Sequence, residues 1–262
     1  MPAARSAPPS SRSRPAGSSS DSGELGRQAA KTIRHPLTRA LLLLTFSTGL
    51  VDASSYLGLG HVFTANMTGN VVLLGFGIAG AAGLPVVAPL VSLVAFLLGA
   101  AAGGLLVARL TANQERSLYG ALSIETLLVA VAAVLAAAVQ VRPGGLSASV
   151  VIALVAFAMG LRNATVRKLA VPDLSTTVLT MTLTGLASDS RLAGGSGAGT
   201  VRRSSAVISM LVGAVCGALL LRVDLWLVLV AVAALALATQ IAYRTARRPP
   251  PERSRHGGSD AR

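Results

Sequence analysis

The sequence predicts an all-α, polytopic transmembrane bundle of six crossings plus two broken or re-entrant segments in two inverted repeats, with seven or eight crossings as the alternative. Three observations lead there. First, the 262 residues are 52% hydrophobic and only 13% charged, with a mean hydropathy of +0.65, which is too apolar for an ordinary soluble domain. Second, the long apolar runs carry no polar face. The run 86–108, VVAPLVSLVAFLLGAAAGGLLVA, can cross a hydrocarbon core about 30 Å thick at about 1.5 Å per residue. Third, a polar motif in the first half returns in weaker form in the second. The alternating strands of roughly ten residues that an outer-membrane barrel requires are not seen.

The net charge of +13 comes largely from the ends. Residues 1–37 and 244–262 combine Arg with Pro, Ser and Gly and read as disordered basic tails. The positive-inside rule puts both in the cytoplasm, where they attract anionic lipid. Nucleic-acid binding is not expected, because no recognition fold accompanies the charge. The first tail is too long and too rich in Pro and Ser for a signal-peptide n-region, so the first apolar segment reads as a retained span. A single cysteine, Cys216, excludes an intramolecular disulfide and a multi-cysteine metal site and reads as a small residue packed in a helix.

Between the tails, a transmembrane domain over 38–243 holds apolar segments at about 38–59, 64–83, 86–108, 118–141, 146–162, 173–188, 204–221 and 223–243. If all eight cross, Arg162, Arg167 and Lys168 fall outside, against the charge rule. If 64–83 and 173–188 are broken segments, then Arg109 with Arg116, Arg162 to Lys168, and Arg191 with Arg202 and Arg203 all fall inside, leaving only Arg142 and Arg222 outside. Each half, about 38–141 and 146–243, then holds three crossings and one polar broken segment. An odd number of crossings turns the second half upside down, which is the inverted-repeat plan of many transporters.

The repeat is legible in single residues. GLVDASSYLGLGHVFTANMTGN (49–70) answers GLRNATVRKLAVPDLSTTVLTMTLTGL (160–186): Gly49 matches Gly160, Asp52-Ala53 matches Asn163-Ala164, and Thr68-Gly69 matches Thr184-Gly185. Gly99-x-x-x-Gly103 in the third segment recurs as Gly213-x-x-x-Gly217 in the seventh. Small residues at that spacing let helix backbones approach closely, and packing within the bundle is expected over dimerisation.

These motifs supply the candidate site. An ionisable group at membrane depth costs roughly 2.5 to 3.5 kcal/mol on insertion scales and by default lines a pathway or meets a partner. On a helix Asp52, Ser55 and Tyr56 share a face, as do Asn66, Gly69 and Asn70, with Thr68 between them. Gly58, Gly60 and Gly69 make the intervening backbone easy to unwind. In the second half Asn163 precedes Pro172-Asp173, which resembles a capped helix start, and Thr177, Thr180 and Thr184 follow on one stripe. All are candidates for a solute or ion pathway. The structural alternative is that Asp52 pairs with an Arg or accepts from hydroxyls while the threonines hold helices together. Glu125 sits inside the fourth segment as an interfacial acid or a proton group. His61 has no second His or Cys close in sequence, so neither a metal nor any other cofactor is expected.

GLVDASSYLGLGHVFTANMTGN, the following VVLLG and the second motif through GLASD resemble the YoaK-like family of bacterial integral membrane proteins, domain-of-unknown-function family 1275, over about 38–243. The resemblance implies a bacterial inner-membrane protein and no particular reaction. Its expected site is therefore the cytoplasmic (inner) membrane, multi-pass, with both termini cytoplasmic.

The leading functional expectation is a transporter or channel for a small polar solute or ion, with the lipid bilayer as its surroundings and the oligomeric state unassigned. A non-transporting scaffold or assembly factor acting through the tails is the alternative. An intramembrane hydrolase using Ser54 or Ser55 with His61 ranks below both. No HExxH, G-x-S-x-G or P-loop motif occurs, so the chain is not expected to be an enzyme.

Overall fold

The computed structural model describes residues 36–109, 114–168, 179–190, 193–195 and 199–246. Almost all of both tails, together with Asp173 and Thr177, therefore lies outside the described residues. The regular structure among the described residues is entirely helical: α1 (Pro36–Gly58), α2 (Met67–Ile78), α3 (Val87–Arg109), α4 (Gln114–Ala138), α5 (Leu146–Lys168), α6 (Leu179–Ser188), α7 (Thr200–Leu221) and α8 (Leu225–Ala246). Six of these, α1, α3, α4, α5, α7 and α8, are long and apolar enough to cross a membrane, and α2 and α6 are too short. The chain is a multi-pass membrane protein, and among the described residues each half holds three helices long enough to span and one short helix.

Punctuation residues set the helix ends. Gly60 and His61 take positive φ just after α1, and Gly80 and Gly83 do so between α2 and α3. The Arg142–Gly145 stretch turns the chain between the halves, with Gly144 at φ 78° and the Gly145 amide donating to the Arg142 carbonyl at 2.9 Å. Pro89 falls in the first turn of α3, where no intrahelical N–H bond is lost.

The two halves interlock. α1 packs along α7 and α5 along α3; α1 also meets α8 as α5 meets α4, and α4 packs against α8. The remaining pairs, α2 with α3, α6 with α7, α3 with α4 and α7 with α8, obey the same exchange of halves. Burial follows it too. The span windows are 67% buried in both α1 and α5, against 22% in α3 and 17% in α7, so α1 and α5 are central and α3 and α7 peripheral. Outward-facing Leu97, Leu98, Leu105, Ile208 and Leu211 put an apolar skin where lipid belongs. Inside, Val51, Val129, Ile152, Val155, Val228 and Val232 join α1, α4, α5 and α8 in one apolar core.

Glycine explains the register of the two closest helix pairs. A Cβ on Gly217 would stand 2.5 Å from the Leu50 carbonyl oxygen, and one on Gly103 would stand 2.6 Å from that of Leu161. Gly49 is pressed against Met210 and Gly213 against Phe46 just as Gly160 is pressed against Phe96 and Gly99 against Phe157, each against a carbonyl oxygen. The glycines of each half thus serve contacts with the other half, at backbone separations no side chain allows.

The sequence reading places Arg162 in a loop with Arg167 and Lys168, but α5 runs on to Lys168 and Arg162 is fully buried within it. Only Arg167 and Lys168 are exposed at its end. Two terminal charges still satisfy the positive-inside rule, so the count of six spans does not depend on Arg162.

Candidate functional site: a buried acid under a re-entrant loop

After Gly58 the chain reverses through Gly60 and His61, and residues 62–66 run back against α1. Asp52 holds them there. Its Oδ1 accepts the backbone N–H groups of Thr64 at 3.1 Å, Ala65 at 2.8 Å and Asn66 at 3.4 Å. The sequence suggests an arginine or neighbouring hydroxyls as the partners of Asp52; the groups that bond its carboxylate are backbone amides instead. The reason is local. An unwound segment at this depth exposes donors that water cannot satisfy, and a carboxylate is the strongest acceptor available.

A second clamp faces the first. Asn70 Oδ1 accepts the Phe63 N–H at 2.9 Å while its Nδ2 donates to the Phe63 carbonyl at 2.6 Å, and Ser92 Oγ on α3 donates to the same carbonyl at 2.7 Å. Thr64 Oγ1 also reaches Ser55 Oγ at 3.5 Å. Asp52 lies about 9 Å back from the end of α1, and Ser92 about 8 Å into α3, by the rise per residue. The loop they hold is therefore re-entrant relative to both helices. Asn66 then caps α2, accepting the Gly69 N–H at 3.3 Å, so that the positive end of the α2 dipole points toward Asp52.

Asp52, Ser55 and Asn70 thus converge on one loop. Tyr56 borders it, stacked on Phe63 with ring centroids 5.0 Å apart and edge-on to His61 at 5.1 Å. Thr68 is exposed on the first turn of α2 and takes no part. In the second half Asn163 is buried at the position matching Asp52, whereas Thr180 and Thr184 are exposed, with Thr184 Oγ1 bonded to the Thr180 carbonyl at 2.9 Å. Neither of those two threonines is buried between helices.

Asp52 Oδ2 is buried and has no hydrogen-bond partner. Asp52 also helps to line a pocket of about 320 Å³, together with Gly49, Ala53, Tyr56 and Leu57 of α1, Phe63 and Asn66 of the loop, and Met210 and Ala214 of α7. Apart from the carboxylate, the Tyr56 hydroxyl and the Asn66 amide, the side chains of this wall are apolar.

A second polar cluster lies deeper and was not assembled from the sequence. Arg162 Nη1 bonds Glu125 Oε1 at 2.9 Å and approaches Ser47 Oγ at 3.4 Å, while Nη2 donates to Thr48 Oγ1 at 2.7 Å. Neither charged side chain is exposed. Glu125 stands about 12 Å from the start of its span, so the pair is well inside the bilayer by the helix rise. The available signal was one acid and one base, each several residues inside an apolar segment; such charges pair when a bundle interior brings them together. Thr48 and Asp52 are one turn apart on α1, so the two clusters share a helix face.

Over 154 residues the chain is 36% identical to transmembrane protein YoaK of Bacillus subtilis, a match covering 57% of this chain and 65% of that protein. The chain thus spans just under two thirds of that relative's length. No solved structure matches it. The family model described as a protein of unknown function, DUF1275, matches residues 40–242, nearly everything from the first helix to the last, and the chain belongs to that family.

Proposed function

We propose that the protein is a transporter or channel for a small polar solute or ion in the bacterial cytoplasmic membrane, with both termini cytoplasmic and no enzymatic activity. One observation carries the reading: the re-entrant loop 62–66, hung from a buried carboxylate that lines a pocket and keeps one oxygen without a hydrogen bond. Non-helical backbone at membrane depth is tolerated where protein or an aqueous cavity covers it, and transporters built from inverted repeats use such segments to hold their cargo. The interlocked halves support the same reading, because two matching bundles with unlike residues at Asp52 and Asn163 can rock about a site without being chemically equivalent.

Cysteine scanning tests it. Single cysteines through 60–72 and 163–190, on a Cys216→Ala background, are labelled in intact cells with a membrane-impermeant thiol reagent from each side. Accessibility of the Asn66–Asn70 stretch from outside and of 177–184 from inside is expected. Protection of both stretches from both sides overturns the pathway and leaves the polar residues as packing.

A further inference from the structure

The Asp52 pocket combines four features. Asp52 is 5% exposed, and its Oδ2 is buried without a partner. No cationic side chain among the described residues stands within ion-pair distance of it; Arg162 bonds Glu125 and acts on Asp52 only from beyond that distance. The pocket of about 320 Å³, open rather than enclosed, falls at the low end of the size range of small-molecule sites. Its walls include the stacked Tyr56 and Phe63 rings together with Met210, and aromatic faces attract cations while thioether sulfur adapts to an apolar body.

A buried carboxylate with no cation bonded to it is costly even with the Arg162 charge acting from further off, and a cation supplied from outside the chain would complete it. The walls decide which cation. Bare sodium or calcium is normally surrounded by six or so oxygen ligands, and this pocket presents few. An anion is excluded by the charge of Asp52. An ammonium group on a compact apolar or aromatic body matches both the single acceptor and the apolar walls.

We propose that the pocket between α1, the 62–66 loop and α7 is a binding site for a small organic monocation, a protonated amine whose N–H group bonds Asp52 Oδ2 once the side chains that cover this oxygen move aside, while its apolar part lies against Tyr56, Phe63 and Met210. This names the substrate class of the site already described and rests on the transport reading for its purpose, not for its chemistry.

Benzylamine, benzyl alcohol and benzoate share one body and differ in charge, so they are the probes. Binding of each to the full-length protein in lipid nanodiscs at neutral pH is measured by titration calorimetry. Saturable binding of benzylamine is expected, at least tenfold tighter than that of the alcohol, with none for benzoate. Asp52→Asn retains an acceptor for the loop amides but removes the charge, and should weaken benzylamine at least tenfold. Met210→Trp fills the pocket without touching the carboxylate and should do the same. Equal binding of amine and alcohol would mark a lipid-like apolar groove and overturn the proposal, as would undiminished amine binding by both variants or no amine binding by the wild type. Flux into proteoliposomes is scored separately: benzylamine bound but not moved sinks the transport reading and leaves the site standing, while flux of other solutes without amine binding sinks the site alone.

Discussion

Arg162 and Glu125 lie 37 positions apart in the chain, on α5 and α4, and meet at 2.9 Å with neither side chain exposed. The guanidinium also reaches Ser47 and Thr48 on α1, so one cation ties together the three helices where the two halves cross. Removing either partner leaves a buried charge alone, at a cost of about 3–5 kcal/mol. Arg162→Met and Glu125→Gln are each expected to lower stability by that order, read as the shift in unfolding of the detergent-solubilised protein with added SDS. The double variant Glu125→Leu with Arg162→Leu should recover much of the loss. Wild-type midpoints in both single variants would mean that the pair does not hold the bundle.

The glycine contacts predict matched effects in matched places. Gly49→Leu and Gly160→Leu each force a side chain against a backbone carbonyl of the other half and should destabilise by about 3 kcal/mol or more. The two losses should agree closely, because the contacts are equivalent. Gly75 on α2 has open space around it, so Gly75→Ala should be neutral or stabilise by up to about 1 kcal/mol. The same SDS titration reads all three, and unequal losses at Gly49 and Gly160 would break the equivalence of the halves.

Asn70 should matter more than Ser92 to the loop. Asn70→Ala strips the Phe63 N–H of its acceptor and is expected to cost about 1–3 kcal/mol. Ser92→Ala leaves the Phe63 carbonyl bonded to Asn70 and should cost less than about 1 kcal/mol. Reversal of that order in equilibrium unfolding would show that the loop hangs from α3 and not from its own asparagine.

Asp52→Ala frees three backbone donors at once. Amide exchange at 64–66, followed by mass spectrometry, should accelerate at least tenfold, while the α5 core around Val155 keeps its protection. Asp52→Asn retains an acceptor and should lie between the two. Unchanged exchange in Asp52→Ala would assign the loop's order to the Asn70 clamp alone.

The sequence by itself determined the class, the repeat and the place of the unusual segment, and favoured six spans over eight. Each depends on local facts: the length of an apolar run, glycine spacing, or an acid where hydrocarbon belongs. Gly49 could be matched to Gly160, and Gly99 to Gly213, because a close backbone approach demands glycine whatever the partner. The partner itself was decided only by tertiary structure. Nothing along the chain says that the α1 glycine meets α7 rather than α3, because helices many residues apart choose one another by surface fit. The same limit explains Asp52 and Arg162. Their cost at depth was legible, but whether an amide, a hydroxyl or a carboxylate would meet that cost depends on which groups the folded bundle brings within about 3 Å, a distance set by packing and not by spacing.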